Sequence, residues 1–332
     1  MKRVTLLTVL VLAFCQVDAK VIFVMQGKHG NGTSWETAMS SLKKATLQAK
    51  AGDQIWVAAG IYTPTTDNDR NVAFVIPNGV ALYGGFNGTE ATLEERNIQQ
   101  NTTILSGEIG NPNDKNDNSY TVIYTKEASA ATIIDGFVIE SGSAMGSADK
   151  GMPQRSGAGW YNDGGQTASN PTIANCIFRG HVAFEGGAIY NYANNGTCSP
   201  SITNCKFINN KSYLNGGAIF NDGTTGTCAP KITGCTFEGN TASYGAGILN
   251  KAESGKATPL IRNCHFVNNT ASSRGSVVYN DRTTTSEGIC EAIMSGCRME
   301  ANNSRIGNEI SNRVSSFDLS AYESSTSNSS GY

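Results

Sequence analysis

The chain reads as an all-β protein, a right-handed parallel β-helix (a solenoid) with a short N-terminal α-helical cap. Three observations predict it. The first is a unit of about thirty residues whose end recurs as SGAGWYN (156–162), EGGAIYN (185–191), NGGAIFN (215–221), YGAGILN (244–250), RGSVVYN (274–280) and IGNEISN (306–312). The terminal asparagines, Asn162, Asn191, Asn221, Asn250, Asn280 and Asn312, stand 29, 30, 29, 30 and 32 residues apart. The second is a column that precedes this one in each unit: NCIFRGH (175–181), NCKFINN (204–210), GCTFEGN (234–240), NCHFVNN (263–269) and GCRMEAN (296–302). Two columns in step mark a solenoid, where each coil buries its apolar face only against its neighbours. The third is one helical pattern ahead of the repeats.

The elements follow in order. MKRVTLLTVLVLAFCQVDAK opens with Lys2 and Arg3, continues with an apolar run from Val4 to Cys15 too short to span a bilayer, and closes on Val17-Asp18-Ala19. Residues 1–19 are therefore expected to be an export signal. In the alternative, Leu12-Ala13-Phe14-Cys15 is a lipoprotein signal acylated at Cys15, but Phe14 stands where that motif wants a small residue. No other stretch is apolar enough for a membrane helix. The helical pattern runs from Thr33 to Ala49 within a segment 20–53: Thr33 and Glu36 make a capping box, and Trp35, Met39, Leu42, Ala45 and Ala49 recur at helical spacing. Laid across the first coil, such a helix would shield the open end of the sheet stack.

Residues 54–155 carry short β-rich runs divided by turns: 54–64, 72–86, 102–109, 120–125 and 132–142. In the last of these Phe137 and Ile139 stand where Cys176 and Phe178 stand one unit later. Three polar insertions, Asn87–Asn101, Asn111–Asn118 and Ser143–Arg155, interrupt this half. Insertions in solenoids emerge from the surface and often carry binding functions. Residues 156–314 form the regular coils. Within one, Ile202, Cys205 and Phe207 are expected to point inward, with Asn209-Asn210 turning the corner. Gly216-Gly217 lets backbones approach, Ala218 with Phe220 or Ile219 refills the interior, and Asn221 turns again. Identical Asn residues on rungs about 4.8 Å apart can bond side chain to side chain. Residues 315–332 are Ser-rich and are read as an unstructured tail. The last coil then stands bare unless Phe317, Leu319 and Tyr322 fold over it, and end-to-end self-association becomes possible.

Composition narrows the partners. The chain has 25 basic and 27 acidic residues. Without Lys2, Arg3 and Asp18 these become 23 and 26, a net charge near −3, which is no footprint for nucleic acid. Eight cysteines follow the leader. Cys176, Cys205, Cys235, Cys264 and Cys297 share one repeat position, expected to be an inward stack of small side chains. Cys198/Cys205, Cys228/Cys235 and Cys290/Cys297 are pairs seven apart, and export would make them candidates for disulfides. No spacing suits zinc.

The GGAI units (Gly186–Ile189, Gly216–Ile219), with Phe207/Asn210, Phe237/Asn240 and Phe266/Asn269, resemble the repeats of chlamydial polymorphic outer membrane proteins. GTSWETA (32–38), AGDQIWVAAGIYTPT (51–65), LYGGFNGTE (82–90) and TILSGEI (103–109) are similar to bacterial right-handed β-helix repeat proteins of the pectin-lyase-like superfamily. The resemblance implies the fold and an outer-surface or secreted location, and it leaves the activity open, since this architecture serves enzymes and adhesins alike. The polymorphic proteins end in a barrel. No barrel strands are read after Asn312, so anchoring by that route is not expected.

Candidate chemistry lies at the position after each Asn of the main column, which projects outward in register: Asp163, Tyr192, Asp222, Lys251 and Asp281. Asp222 and Asp281 would stand two rungs, or about 10 Å, apart, near the separation of an inverting glycosidase. Lys251 between them favours a self-neutralising ladder instead. Trp160, with its neighbouring tyrosines, could offer a sugar-stacking platform. Asp114 and Asp117 have oxygens that could hold calcium but lack the Gly and Glu of an EF-hand loop. His29, His181 and His265 do not converge and are expected at surface or turn positions. No cofactor is implied. The favoured function is a non-catalytic, adhesin-like binding role toward glycans or surface proteins. The alternatives are a polysaccharide lyase or glycoside hydrolase, and a self-associating structural protein of the envelope.

Overall fold

A computed structural model describes residues 19–282 and 287–313. The leader expected over 1–19 (save Ala19), the acylation alternative at Cys15 and the tail over 315–332 lie outside the described residues. Among the described residues the chain is a parallel β-solenoid, with five sheets and every strand pairing parallel. Sheet 1 runs from Val21–Val24 to Ile293–Ser295, sheet 2 from Gly60–Tyr62 to Arg298–Glu300, sheet 3 from Ser143–Ala144 to Asn303–Ser304, and sheet 4 from Phe74–Val75 to Ile310–Arg313. Sheet 5 is short, from Thr227–Cys228 to Ile289–Cys290. A regular coil visits the first four in turn, as Ser201–Thr203, Lys206–Ile208, Lys211–Asn215 and Ile219–Asp222.

The corners explain the Asn and Gly columns. The turn from sheet 1 to sheet 2 places one residue in the left-handed region, Asn204 (φ 53°) in one coil and Gly234 (φ 64°) in the next. Asn and Gly are the residues that enter this region at least cost. The Gly-Gly pair does two separate things. Gly216 is left-handed (φ 67°), whereas a Cβ on Gly217 would stand 2.3 Å from the carbonyl oxygen of Ala246 one coil on.

Inside, Ile202, Cys205 and Phe207 are fully buried, as their spacing predicts. Phe178, Phe207, Phe237 and Phe266 form one stack, with successive ring centroids 5.3, 4.8 and 4.6 Å apart. Ile139 pairs in register with Phe178, which extends the column back into the irregular half. Ala218 and Ile219 line the main core, while Phe220 turns outward into a second stack with Tyr161, Tyr190, Leu249 and Tyr279 on the far side of sheet 4.

Two buried asparagine ladders hold the coils in register. In the first, each Asn from 162 to 280 donates its amide to the next Oδ1 at 2.8–3.2 Å, ending on Asn312. In the second, Asn240 sends both its backbone N–H (3.0 Å) and its Nδ2 (2.9 Å) to Asn269 Oδ1, and Nδ2 also reaches Phe207 O at 2.9 Å. Asn210 and Asn269 repeat the pattern toward Asn240 and Asn302. Glu309 Oε1 accepts from Asn302 Nδ2 at 3.2 Å, where a further rung would otherwise supply the acceptor.

The helix is shorter than its apolar spacing suggests. It spans Leu42–Gln48, and its N-cap is Ser41, whose hydroxyl accepts from Lys44 N. Thr33 and Glu36 form no capping box. Thr33, Ser34 and Thr37 bond to one another and to Asn31 instead. The segment 32–39 is drawn into pairing with Val21–Val24, through Phe23 N to Gly32 O, Met39 N to Phe23 O and Met25 N to Met39 O, each 2.9 Å. Trp35 packs with Phe23, Trp56 and Phe86. Tertiary pairing outweighs a weak local preference here. Ser143 and Ala144, placed by the sequence in the third insertion, instead form a strand of sheet 3 against Val182 and Ala183.

Candidate functional site

The outward row after the first ladder stands in register. Asp163 pairs with Tyr192, Tyr192 with Asp222, Asp222 with Lys251 and Lys251 with Asp281 on successive strands of sheet 4. Asp163 Oδ2 accepts from Tyr124 OH at 2.7 Å and its Oδ1 from Gly165 N at 3.0 Å. Asp222 Oδ2 accepts from Tyr190 OH at 2.6 Å, and its Oδ1 accepts from Thr224 N at 3.1 Å and from the Thr224 hydroxyl. Lys251 Nζ lies 3.1 Å from Glu253 Oε1. Burial works against the charge on Lys251, but Asp222, Glu253 and Asp281 together hold its pKa above the usual lysine value. Burial, with the charge of Asp222 second, pushes the Tyr190 phenol well up, so it remains a donor.

Tyr192, Asp222 and Lys251 border an open cavity of about 230 Å³. Lys150, Gly151, Asn194 and Thr224 complete its rim with Tyr190, and these four were not picked out by the sequence. The third insertion brings Lys150 there. Tyr161 OH donates to Gly151 O at 2.7 Å, and Lys150 Nζ lies 3.5 Å from the fully buried carboxylate of Glu185. The left-handed Gly151 (φ 80°) inside a polar run was the available signal.

The other sequence candidates do not converge on this cavity. Trp160 is no platform: it is fully buried in the main core, donating Nε1–H to Thr125 Oγ1 at 2.8 Å. Asp163 and Asp281 share the row but do not line the cavity. Asp114 Oδ1 accepts from Asn116 N (2.9 Å) and Asp117 Oδ2 from Asn111 N (2.6 Å), so both carboxylates brace their own loop. Among the described residues no three His, Cys, Asp or Glu side chains gather as a metal site.

His181 is not a surface residue. Its ring is fully buried, Nδ1 accepts from Gly142 N at 3.1 Å, and Nε2 faces Ile139 O at 3.0 Å. This is the bonding of a ladder asparagine carried out by an imidazole, with Nε2 bearing the proton. Burial, only partly offset by the bond to Ile139, holds the pKa down at about 3.

The expected disulfides are absent: all eight described cysteines are free. Cys198 and Cys228 pack with Ala193, whereas Cys205 and Cys235 lie in the main core with Cys176 and Cys264, and Cys297 packs against that core. Cys290 continues the Cys228 side through Ala257, so each seven-residue pair is divided between two stacks. Burial pushes the Cys205 and Cys228 thiols well up, and that of Cys290 to about 12. Thiols held protonated in this way are poor nucleophiles.

A family model described as the Chlamydia polymorphic membrane protein repeat matches residues 204–222, the span from the Asn-Cys corner to the cavity residue Asp222. No curated protein and no solved structure matches the chain.

Proposed function

We propose that this chain is an exported, right-handed β-solenoid of a bacterial envelope that binds glycans or surface proteins without chemistry of its own. The observation that carries the reading is the state of the outward row. Both oxygens of Asp222 already accept hydrogen bonds, and Lys251 occupies the rung between it and Asp281. A catalytic carboxyl must reach the substrate, and both oxygens of this one are engaged by donors of the chain itself. What the cavity does offer is a recognition set: a phenol face, an amide, a hydroxyl and two ammonium groups. The polymorphic membrane protein repeat supports a place at the cell surface. Segment 32–39 and the helix Leu42–Gln48 act as the N-terminal cap in this reading, since they lie against the first strands.

A glycan array, paired with surface labelling of the producing cell, tests it. For ligands held at the cavity beside Tyr192, binding lost on Tyr192→Ala and retained in Asp281→Asn is the expected pattern. Turnover of a uronate-containing glycan that disappears in Asp222→Asn would overturn it. One observation favours self-association as a second reading. Met294, Cys297 and Met299 of the last described coil are only partly buried, and the strand Ile293–Ser295 has no partner on its outer edge among the described residues. Sedimentation over a range of concentrations decides whether that edge joins copies.

A further inference from the structure

A second cavity lies away from the outward row, at the corner of sheets 1 and 2. It has a volume of about 490 Å³, within the range of small-molecule sites. Its floor is the outer face of sheet 2, where Val138, Ile177 and Lys206 stand in register on successive strands. Its wall is the first insertion, through Ile98 and Gln99, and its lip carries Asn175 and Asn204.

The wall is built in. Arg96 donates to Gly84 O (3.2 Å), Asp135 O (3.3 Å) and Asp135 Oδ2 (3.0 Å) and lies over the Tyr83 ring. Asp135 Oδ1 in turn accepts from Asn175 Nδ2 at 2.9 Å, so the arm and the lip are one network. Gly85 and Gly136 make room for Ile98: a Cβ on either would stand 2.5 or 2.7 Å from its side chain. This accounts for the second glycine of LYGGF, while a Cβ on the first, Gly84, would stand 2.7 Å from Gly136 O.

The lining is asymmetric in charge. The other cations of this face are partnered: Arg179 with Glu140 at 2.6 Å and Arg298 with Glu300 at 3.5 Å. Lys206 is exposed and has no ion pair among the described residues, and no carboxylate lines the cavity. The remaining side chains are aliphatic (Ile98, Val138, Ile177), neutral polar (Gln99, Thr102, Thr103, Asn175, Asn204) or the buried Phe137 and Cys176. The floor is a sheet face rather than a free edge, so a polypeptide could not add as a strand.

Resting on the binding role proposed above, we propose that this groove holds a saccharide unit bearing both an N-acyl group and a carboxylate. The acyl methyl packs on Val138, Ile177 and Ile98, because the aromatic Phe137 is buried and offers no open ring face. The side-chain amides meet the hydroxyls and the acyl amide, and Lys206 meets the carboxylate.

Calorimetric titration of the full chain tests this with two acids, N-acetylmuramic acid for a bacterial wall source and N-acetylneuraminic acid for a host one. N-acetylglucosamine, which lacks the carboxylate, and glucuronic acid, which lacks the acyl group, are the controls. At least one acid should bind roughly tenfold or more tightly than either control. Lys206→Gln, an exposed substitution, should bring that acid down to the level of N-acetylglucosamine, and Ile177→Glu should abolish binding, with Tyr192→Ala changing neither. The proposal is overturned if neither acid binds, if Lys206→Gln leaves the preference intact, or if a capped Ile-Ala-Asp peptide binds as well as the sugars. Glycan binding lost in Tyr192→Ala but unaffected by Lys206→Gln would sink the groove assignment alone and spare the wider reading.

Discussion

The regular coils from Ser156 onward and the earlier coils between Gln54 and Arg155 share one cross-section but hold it by different means. In the regular half each contact is made by the same residue one coil away: Phe on Phe, Asn to Asn, Cys beside Cys. In the irregular half the fixings are unique. Arg96 ties one arm to Asp135, Glu90 gathers the backbone N–H groups of Asn87, Gly88 and Thr89, and Trp35 donates to Glu90 O at 2.9 Å. A ladder spends its polar groups on its own neighbours and leaves little for a ligand. Both cavities of interest accordingly lie where an insertion comes to rest beside the coils, one at Ile98 and Gln99, the other at Lys150 and Gly151.

If that contrast is right, substitutions in the repeated columns should be felt through the whole stack, and those at the arms should stay local. The largest effect is expected from Phe237→Ala. This ring lies between Phe207 and Phe266, and its removal should cost about 4 kcal/mol, read from denaturant unfolding. Asn240→Ala leaves the Asn210 backbone N–H without its acceptor in the interior and removes the side-chain bonds to Asn210 Nδ2, the Phe207 carbonyl and Asn269 Oδ1, and the same measurement should show a loss of about 3 kcal/mol.

The pH response of His181 comes next. Its folded-state pKa is depressed to about 3, so below the ordinary histidine value the unfolded chain takes up the proton first. The stability it contributes is therefore full at neutral pH and falls as pH drops from about 6 toward 3, by roughly tenfold in the folding equilibrium per unit. His181→Asn, which restores the ladder residue, should flatten this part of the profile. An unchanged profile would show that acid sensitivity arises elsewhere. The smallest global effect is expected from Arg96→Gln, about 1 kcal/mol for a partly buried pair. Its signature should be faster proteolysis confined to the arm over 93–101, with unfolding of the coils almost unmoved.

Legibility from sequence followed the same division. Cys205, Phe207, Asn221 and Gly216 were assignable to the core, a ladder and a corner because their neighbours recur at a fixed interval. In a parallel stack, residues one period apart are neighbours in space, so the repeat is itself a contact list. The row from Asp163 to Asp281 followed from that register. Trp160 shows the limit of the method. Strand alternation allowed one of each adjacent aromatic pair to face outward, and the structure turns Trp160 and Ile219 in and Tyr161 and Phe220 out. His181 was misjudged because its type differs from the column's Asn, although it stands at the place that Asn210 holds one unit later and takes over the same bonding. The seven-residue cysteine pairs misled because sequence proximity along a coil crosses from one stack to another.

Residues 32–39 carry a helical pattern, yet they pair with the first strand because its edge hydrogen bonds outweigh propensities worth fractions of a kcal/mol per residue. Lys150 and Ile98 reach their cavities through turns with no counterpart one period away, so nothing in the repeat could announce them. Period, corner chemistry and the outward register are properties of a translation along the chain, and the amino-acid order states them outright. Which face each aromatic takes, where the arms return and which cation is left without an acid depend on contacts made once, and these exist only after the coils have stacked.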